Sequence, residues 1–427
     1  MGGFENLPDE LVVKIVGLHH LTLVSRRLHA ISTPHRYRNI QVYDQGILLL
    51  ARACVLNPTL GTLVRSLSVR YDEAPETPWS KEDFFGEDDL AEERRTVAKA
   101  ARPMDPILAD EIERKHPWTP SASVVLLLHL LPRLLKLDIA PERTSKPIFH
   151  LASRCLPTAS GFPTTLPPAL SSITSLRIAY DDWEGGNIIS ALLPWLSLPV
   201  LTTITMHSLS ALIWRHSQET RATMAQLRGV ARSLHTIIFQ ESVLESEVLA
   251  DIIRIPQPGV LSRLEYEVGG TNWDASSFVD TLAPLYSSLV VLSITRAERL
   301  CLDGMRFRVL PHLREFSRLV ELTIDADFLL DRSSRGQKRE LLDVLPPALE
   351  ILSVDYLDSW LSYDVEAQLL PVVYSLRSLR VLRVGAEENL PIERIKHRFH
   401  LTSGFIATCG AEGVAAGYLW PLSRLNP

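Results

Sequence analysis

Five carboxylates recur near the ends of short alternating segments in the C-terminal half of the chain: Glu265, Glu267, Glu321, Asp325 and Asp355, before Arg383 supplies a base. Carboxylates at such positions can act as acids and bases, hold a metal, or face a basic partner, and the surrounding residues decide between these. His19-His20 is a paired histidine with no third ligand nearby, and neither HExxH nor CxxC spacing occurs, so no metal centre is expected. GxGxxG, GxxxxGK[ST] and GxSxG are missing, and Gly269-Gly270 reads as a turn rather than a phosphate cradle. Cys54, Cys155, Cys301 and Cys409 lie far apart, and no nucleophile and base can be assembled from them and the isolated histidines. The chain is therefore expected to be a binding protein rather than an enzyme, with no cofactor and no metal. Its acids are expected to accept a basic peptide or patch.

The elements that would position these acids come from an internal repeat. Ten segments share a pattern close to LxxLxxLxI, including LPRLLKLDI (131–139), LSSITSLRI (170–178), FSRLVELTI (316–324) and LRSLRVLRV (376–384). With the penultimate apolar residue as a marker, the series is Leu67, Leu137, Leu176, Ile204, Ile237, Tyr266, Leu292, Leu322, Leu352 and Leu382. After a long first interval the spacing settles near 30 residues, and the last three intervals are all 30. Each segment ends in strict alternation, the period of a strand with one buried face. Stretches between them, such as SEVLADIIRI and DVEAQLLPVVYSL, carry apolar residues at helical spacing.

One strand and one helix per repeat predicts an α/β fold, a leucine-rich-repeat solenoid with a curved parallel sheet and outer helices. An α/β barrel or doubly wound sheet also alternates strand with helix, but its strands, buried on both faces, would read as continuous apolar runs. The solenoid is expected over 46–400, with insertions near 72–120 and 143–168 and a C-terminal cap or tail at 401–427. Within the first insertion, LAEERRTVAKAA reads as an exposed helix. Outward positions beside the markers then line a concave face: Lys136, Asp138, Ser175, Arg177, Thr205 and His207 early, the five acids late. Tyr180, Trp183 and Trp273 are candidate aromatic anchors in the turns after strands.

Net charge is −6, which supplies no long-range basic field for nucleic acid. The longest apolar run, VVLLLHLL at 124–131, is too short to span a bilayer, and the N-terminus shows no basic-then-apolar export signal. Neither nucleic acid nor membrane is an expected partner, and a cytoplasmic or nuclear location with free thiols is expected.

The first 45 residues stand apart from the repeat. In FENLPDELVVKIV, Pro8 suits the first helical position, Asp9 and Glu10 follow in the first turn, and Leu11 and Ile15 share one face. Leu21, Val24, Leu28 and Ile31 keep helical spacing in the next stretch. LPDELVVKIV followed by LVSRRLHAI and HRYRNI resembles an F-box, and segments such as LRIAYDDWEGGN and LLDVLPPALEILSV resemble fungal F-box proteins with leucine-rich repeats. The resemblance implies a helical head at 1–45 that binds the Skp-type adaptor of a cullin-RING ubiquitin ligase, with repeats holding an unknown protein target. Its contact positions here would be Leu7, Pro8, Leu11, Ile15, Val24 and Leu28. From Leu7 to Arg26 this sequence spans 19 positions, several fewer than the family pattern. The alternative is a leucine-rich-repeat interaction scaffold without ligase association, whose first helices cap the repeat array.

Overall fold

The computed structural model describes residues 26–70, 90–114, 120–140, 167–179, 192–211, 218–269, 275–297, 310, 313–329, 341–355, 362–385, 409–411 and 413–419. The chain forms two compact units, residues 1–181 with 194–201 and residues 182–193 with 202–427. Both are α/β, with parallel strands that follow one another in sequence order.

In the first unit, helix α1 (Arg26–Arg38) runs straight into strand β1 (Asn39–Tyr43), followed by α2 (Asp44–Leu56), α3 (Pro58–Leu63) and β2 (Ser66–Arg70). Helices α4 (Ala91–Ala101), α5 (Pro106–Glu113) and α6 (Pro120–Leu130) precede β3 (Lys136–Ile139) and β4 (Ser175–Ala179). The four strands pair in register, with Ile40 beside Leu67, Leu67 beside Leu137 and Leu137 beside Leu176. Their apolar residues point at a helical layer that is better buried than the sequence suggests. Helix α6 is apolar all round and buried along Ser121–Leu128, as a core helix must be. Helix α4, expected to be exposed, instead buries Arg94, Val97, Ala98 and Ala101. Asp105 caps α5 by accepting from the N–H groups of Ile107 and Leu108, with Pro106 at the first helical position.

The second unit contains β5 (Thr203–His207), β6 (Ser210–Ala211), α7 (Gln218–Leu227), β7 (Thr236–Leu244), α8 (Ser246–Ile253), β8 (Arg263–Val268), α9 (Ala275–Thr281) and β9 (Val291–Arg296). It continues through β10 (Glu321–Asp325), α10 (Ala326–Leu329), α11 (Leu341–Val344), β11 (Ile351–Asp355), α12 (Ser362–Ser375), β12 (Val381–Gly385) and β13 (Ala415–Leu419). Strand order is β5-β7-β8-β9-β10-β11-β12-β13, with β6 beside the end of β7. A doubly wound sheet would reverse this order at a switch point, and none occurs among the described strands.

Three columns of apolar side chains explain why the pattern repeats. Ile204, Ile237, Leu264, Leu292, Leu322, Leu352 and Leu382 stack in register, each fully buried. Two residues later come Met206, Phe239, Tyr266, Ile294, Ile324, Val354 and Val384; three residues earlier come Leu201, Leu234, Leu261, Leu289, Leu319, Leu349 and Leu379. The registered partner of Ile237 and Leu292 is thus Leu264, not Tyr266, which corrects the marker in that one repeat by two residues. At the start of each strand from β7 to β12 one carbonyl of the preceding repeat accepts from two successive N–H groups, as Val290 O does from Val320 and Glu321 and Val320 O from Glu350 and Ile351. This ties each repeat to its neighbour through backbone alone.

The column breaks its regularity at one level. Ser208 and Glu241 take left-handed backbone (φ 54° and 47°), and β7 carries a bulge between Phe239 and Ser242. Tyr266 is fully buried under the bulge, where its hydroxyl accepts from Leu244 N–H at 3.0 Å and donates to Ser242 O at 3.2 Å. Its ring meets Phe239 and Phe278. Tyr266→Phe keeps the ring and orphans a buried N–H, so it is expected to destabilise the second unit by about 1–3 kcal/mol in urea titration, with faster hydrogen exchange at Leu244.

Candidate binding faces

The strand alternation that buries the leucines turns every other residue outward, so register alone sets which outward side chains are neighbours. In the second unit one strand-face row is Thr205, Ile238, Glu265, Ser293, Thr323, Ser353 and Arg383, of which Ser353 is buried rather than presented. The row toward the strand starts is Thr203, Thr236, Arg263, Val291, Glu321, Ile351 and Val381. Glu267 and Thr295 pair across β8 and β9, and Asp325 and Asp355 pair across β10 and β11.

The five acids expected as target contacts do not behave alike. Glu321, between Val291 and Ile351, and Asp355, beside Asp325, are half-buried. Glu265 lies 2.5 Å from Arg263 Nε on its own strand, so part of its charge is already matched. Arg263 is missed by sequence because the shifted marker leaves it outside the face. Glu267 accepts the Glu241 N–H at 3.1 Å, and burial pushes its carboxyl above the usual range despite that bond. It serves the bulge as much as any ligand.

Asp325 is a correction: the sequence pattern turns it outward, and it is fully buried. The alternation stops there, with Ile324, Asp325 and Ala326 all buried where β10 turns directly into α10. Asp325 is hydrogen-bonded by Arg296 Nε and accepts the Asp327 N–H at 2.9 Å. Arg296 also lies 3.3 Å from Asp327. Burial outweighs these partners and raises the Asp325 carboxyl to about 7. It holds a strand-to-helix corner and is not presented to a partner.

A serine, a histidine and a carboxylate do meet in the second unit, at Ser208, His207 and Glu241. Ser208 Oγ is 3.0 Å from His207 Nδ1, and His207 Nε2 is 3.7 Å from Glu241 Oε1. Ser208 is buried, which keeps its hydroxyl from a substrate, and its N–H is bonded to Gln240 O. The grouping braces the stacked bends of β5 and β7.

The first unit carries a charged cluster of its own. Asp138 on β3 accepts both Arg70 guanidinium nitrogens, at 2.8 and 2.6 Å, and the Ser68 hydroxyl at 3.4 Å. Arg177 on β4 approaches the same carboxylate at 3.6 Å, and the exposed Lys136 sits two residues before Asp138 on the same face. Lys136, Asp138 and Arg177 are legible in the sequence as outward positions. Arg70 is not among the outward residues expected from sequence, although it lies three residues beyond the Leu67 marker and so falls on the same face. Of the adaptor positions, Leu7, Pro8, Leu11, Ile15 and Val24 lie outside the described residues, and Leu28 falls within α1 with its side chain undescribed. Tyr180, Trp183 and Trp273 also lie outside them.

No protein-family model matches the chain, and no curated protein matches it in sequence.

Proposed function

We propose that this chain is a non-enzymatic substrate receptor of a cullin-RING ubiquitin ligase. Residues 1–45 form an F-box-like head whose Leu7, Pro8, Leu11, Ile15, Val24 and Leu28 dock on the Skp-type adaptor, and leucine-rich repeats bind a protein target in the cytoplasm or nucleus. The observation that carries the reading is the register of the repeat. Three buried apolar columns with outward polar rows over parallel strands make a surface suited to contact, and a helix running straight into β1 precedes them. The receptor's contribution to catalysis is proximity, since tethering raises the effective concentration of target lysines near the conjugating enzyme. Glu265, Glu267, Glu321 and Asp355 remain the target contacts proposed on the second unit.

Purified Skp-type adaptor should retain the native chain and release a Leu11→Asp, Leu28→Asp variant whose thermal melt is unchanged. Failure of the native chain to bind, with binding gained when a family-length loop is inserted between Val16 and Leu21, would sink the ligase reading for this chain and favour an interaction scaffold.

A further inference from the structure

Sixteen arginines and no lysine fall from residue 147 through residue 337, a span that includes every described strand from β4 to β10. The whole chain holds 36 arginines and 8 lysines, and at that density these 191 residues would carry three or four lysines. Some of the arginines need a guanidinium, as Arg296 does to reach both Asp325 and Asp327. Others do not. Arg254 and Arg314 are exposed and lie 3.8 and 3.7 Å from Asp251 and Asp343, loose single-point contacts that a lysine ammonium serves as well. The exposed side chains of Arg221, Arg232 and Arg318 make no ion pair or hydrogen bond among the described residues. Arg221 lies in helix α7, where the two residue types have nearly equal propensity. Folding therefore does not select arginine at these positions, and the property that still separates the two side chains there is nucleophilicity. A lysine amine can lose its proton and attack a carbonyl, whereas a guanidinium keeps its proton and has no free lone pair.

We propose that the lysine-free span keeps the receptor from accepting the ubiquitin meant for its target. The proposal rests on the substrate-receptor reading and concerns the regulation of that same surface, since Glu265, Glu267 and Glu321 all lie within the span. In the transfer, an amine nitrogen attacks the thioester carbonyl that joins ubiquitin to the conjugating enzyme. The C–N bond forms, the C–S bond breaks, and the proton lost by the amine is taken up as the thiol leaves. A target lysine takes part only while the target is bound. A lysine on the receptor beside the target contacts would be tethered at all times, at an effective concentration on the order of millimolar, and would compete at every encounter. Arginine supplies the same charge to the repeat surface without offering an acceptor. Lys99 and Lys136, exposed in the first unit, lie outside the span and serve as internal references.

The test assembles the full chain with Skp-type adaptor, cullin-RING scaffold, charged conjugating enzyme and ubiquitin, and compares it with an Arg232→Lys, Arg318→Lys variant. Both changes keep the charge at exposed positions, and an unchanged thermal melt will show that the variant folds. Mass spectrometry of tryptic peptides should find the diglycine remnant of ubiquitin on the new lysines. Self-modification should rise about threefold or more over the native chain, whose Lys99 and Lys136 report the background. Discharge of the conjugating enzyme to free lysine shows that the transfer machinery is active. With the complex assembled and that discharge normal, a variant unmodified at both new lysines overturns the proposal. A variant modified there without any rise in total self-modification overturns it too, because the missing lysines then spare nothing. Adaptor capture is read in a separate pull-down: a native chain that fails to bind there refutes the ligase reading, and this proposal with it, before any transfer is measured.

Discussion

Gly269→Ala should be among the most damaging single-methyl additions this chain can receive. A Cβ built on Gly269 would stand 2.1 Å from the Glu241 carbonyl oxygen, 2.2 Å from its carbon and 2.8 Å from Ser242 N. All three are backbone atoms, so no rotamer change can make room. The close approach exists because β8 ends against the left-handed bend of β7, where Gly269 N–H donates to Ser242 O. Adding the methyl must therefore separate the two strands at the bulge and weaken the Tyr266 hydrogen bonds beneath it. Overpacking typically costs about 1–3 kcal/mol, and this contact belongs at or above the top of that range. Gly61 offers an independent case in the first unit, since its Cβ would lie 2.1 Å from Leu130 O. Gly46 provides the contrast: its nearest neighbour is Val42 Cβ at 3.8 Å, and Gly46→Ala in helix α2 should be neutral or stabilising by up to about 1 kcal/mol. Denaturant titration of the three variants should rank them in that order, with the protection of Val268 amides lost first in Gly269→Ala. A Gly269→Ala midpoint equal to that of the native chain would refute the close-packing account.

Much of this architecture is readable in advance because it follows from burial. A leucine three residues before the first buried strand residue, and two alternating apolar residues within the strand, recur wherever a repeat must stack on two neighbours, and that requirement writes itself into the sequence. The exceptions are instructive. In LSRLEYEV, Leu264, Tyr266 and Val268 all alternate, so any of them can pass for the marker; only Leu261, three residues before Leu264, fixes the register. Strands β1 and β13 are hidden in the sequence because NIQVY lacks a leucine three residues before its registered Ile40, while AAGYL offers only Ala416 at the level of Leu382. Helix α4 looks exposed in sequence because its buried face consists of Val97, two alanines and the stem of Arg94, which carry little hydrophobic signal. Site residues are harder still. Outward orientation can be counted, but whether an acid is already matched depends on residues a repeat away: Asp138 is matched by Arg70 and Asp325 by Arg296, separated by 68 and 29 positions.

Arg296→Met should produce the other large loss, and its size should depend on pH. Burial sets the Asp325 carboxyl at about 7 in the folded chain even with Arg296 and the Asp327 N–H drawing it down. An aspartate exposed by unfolding titrates near 4, so between roughly pH 4 and 7 the folded state holds a proton that the unfolded state releases. This group's contribution to stability is therefore most favourable below about pH 4 and falls as pH rises toward 7. Removing Arg296 deletes the main support of the ionised form, which moves the folded value further up and carries the falling limb beyond neutrality. At about pH 8.5 the variant must bury an uncompensated carboxylate or take up a proton, and breaking a buried pair costs about 3–5 kcal/mol. Near pH 5 the carboxyl is already protonated in the folded state, methionine preserves the apolar stem, and a loss of only about 1 kcal/mol is expected. Adding Asp325→Asn to Arg296→Met removes the charge and should restore most of the stability lost at the higher pH. Urea titrations of the native chain, the single variant and the double variant at both pH values test the coupling. An equal loss at both, or a double variant no better than the single one at high pH, would mean that Arg296 contributes packing rather than charge compensation at the β10–α10 corner.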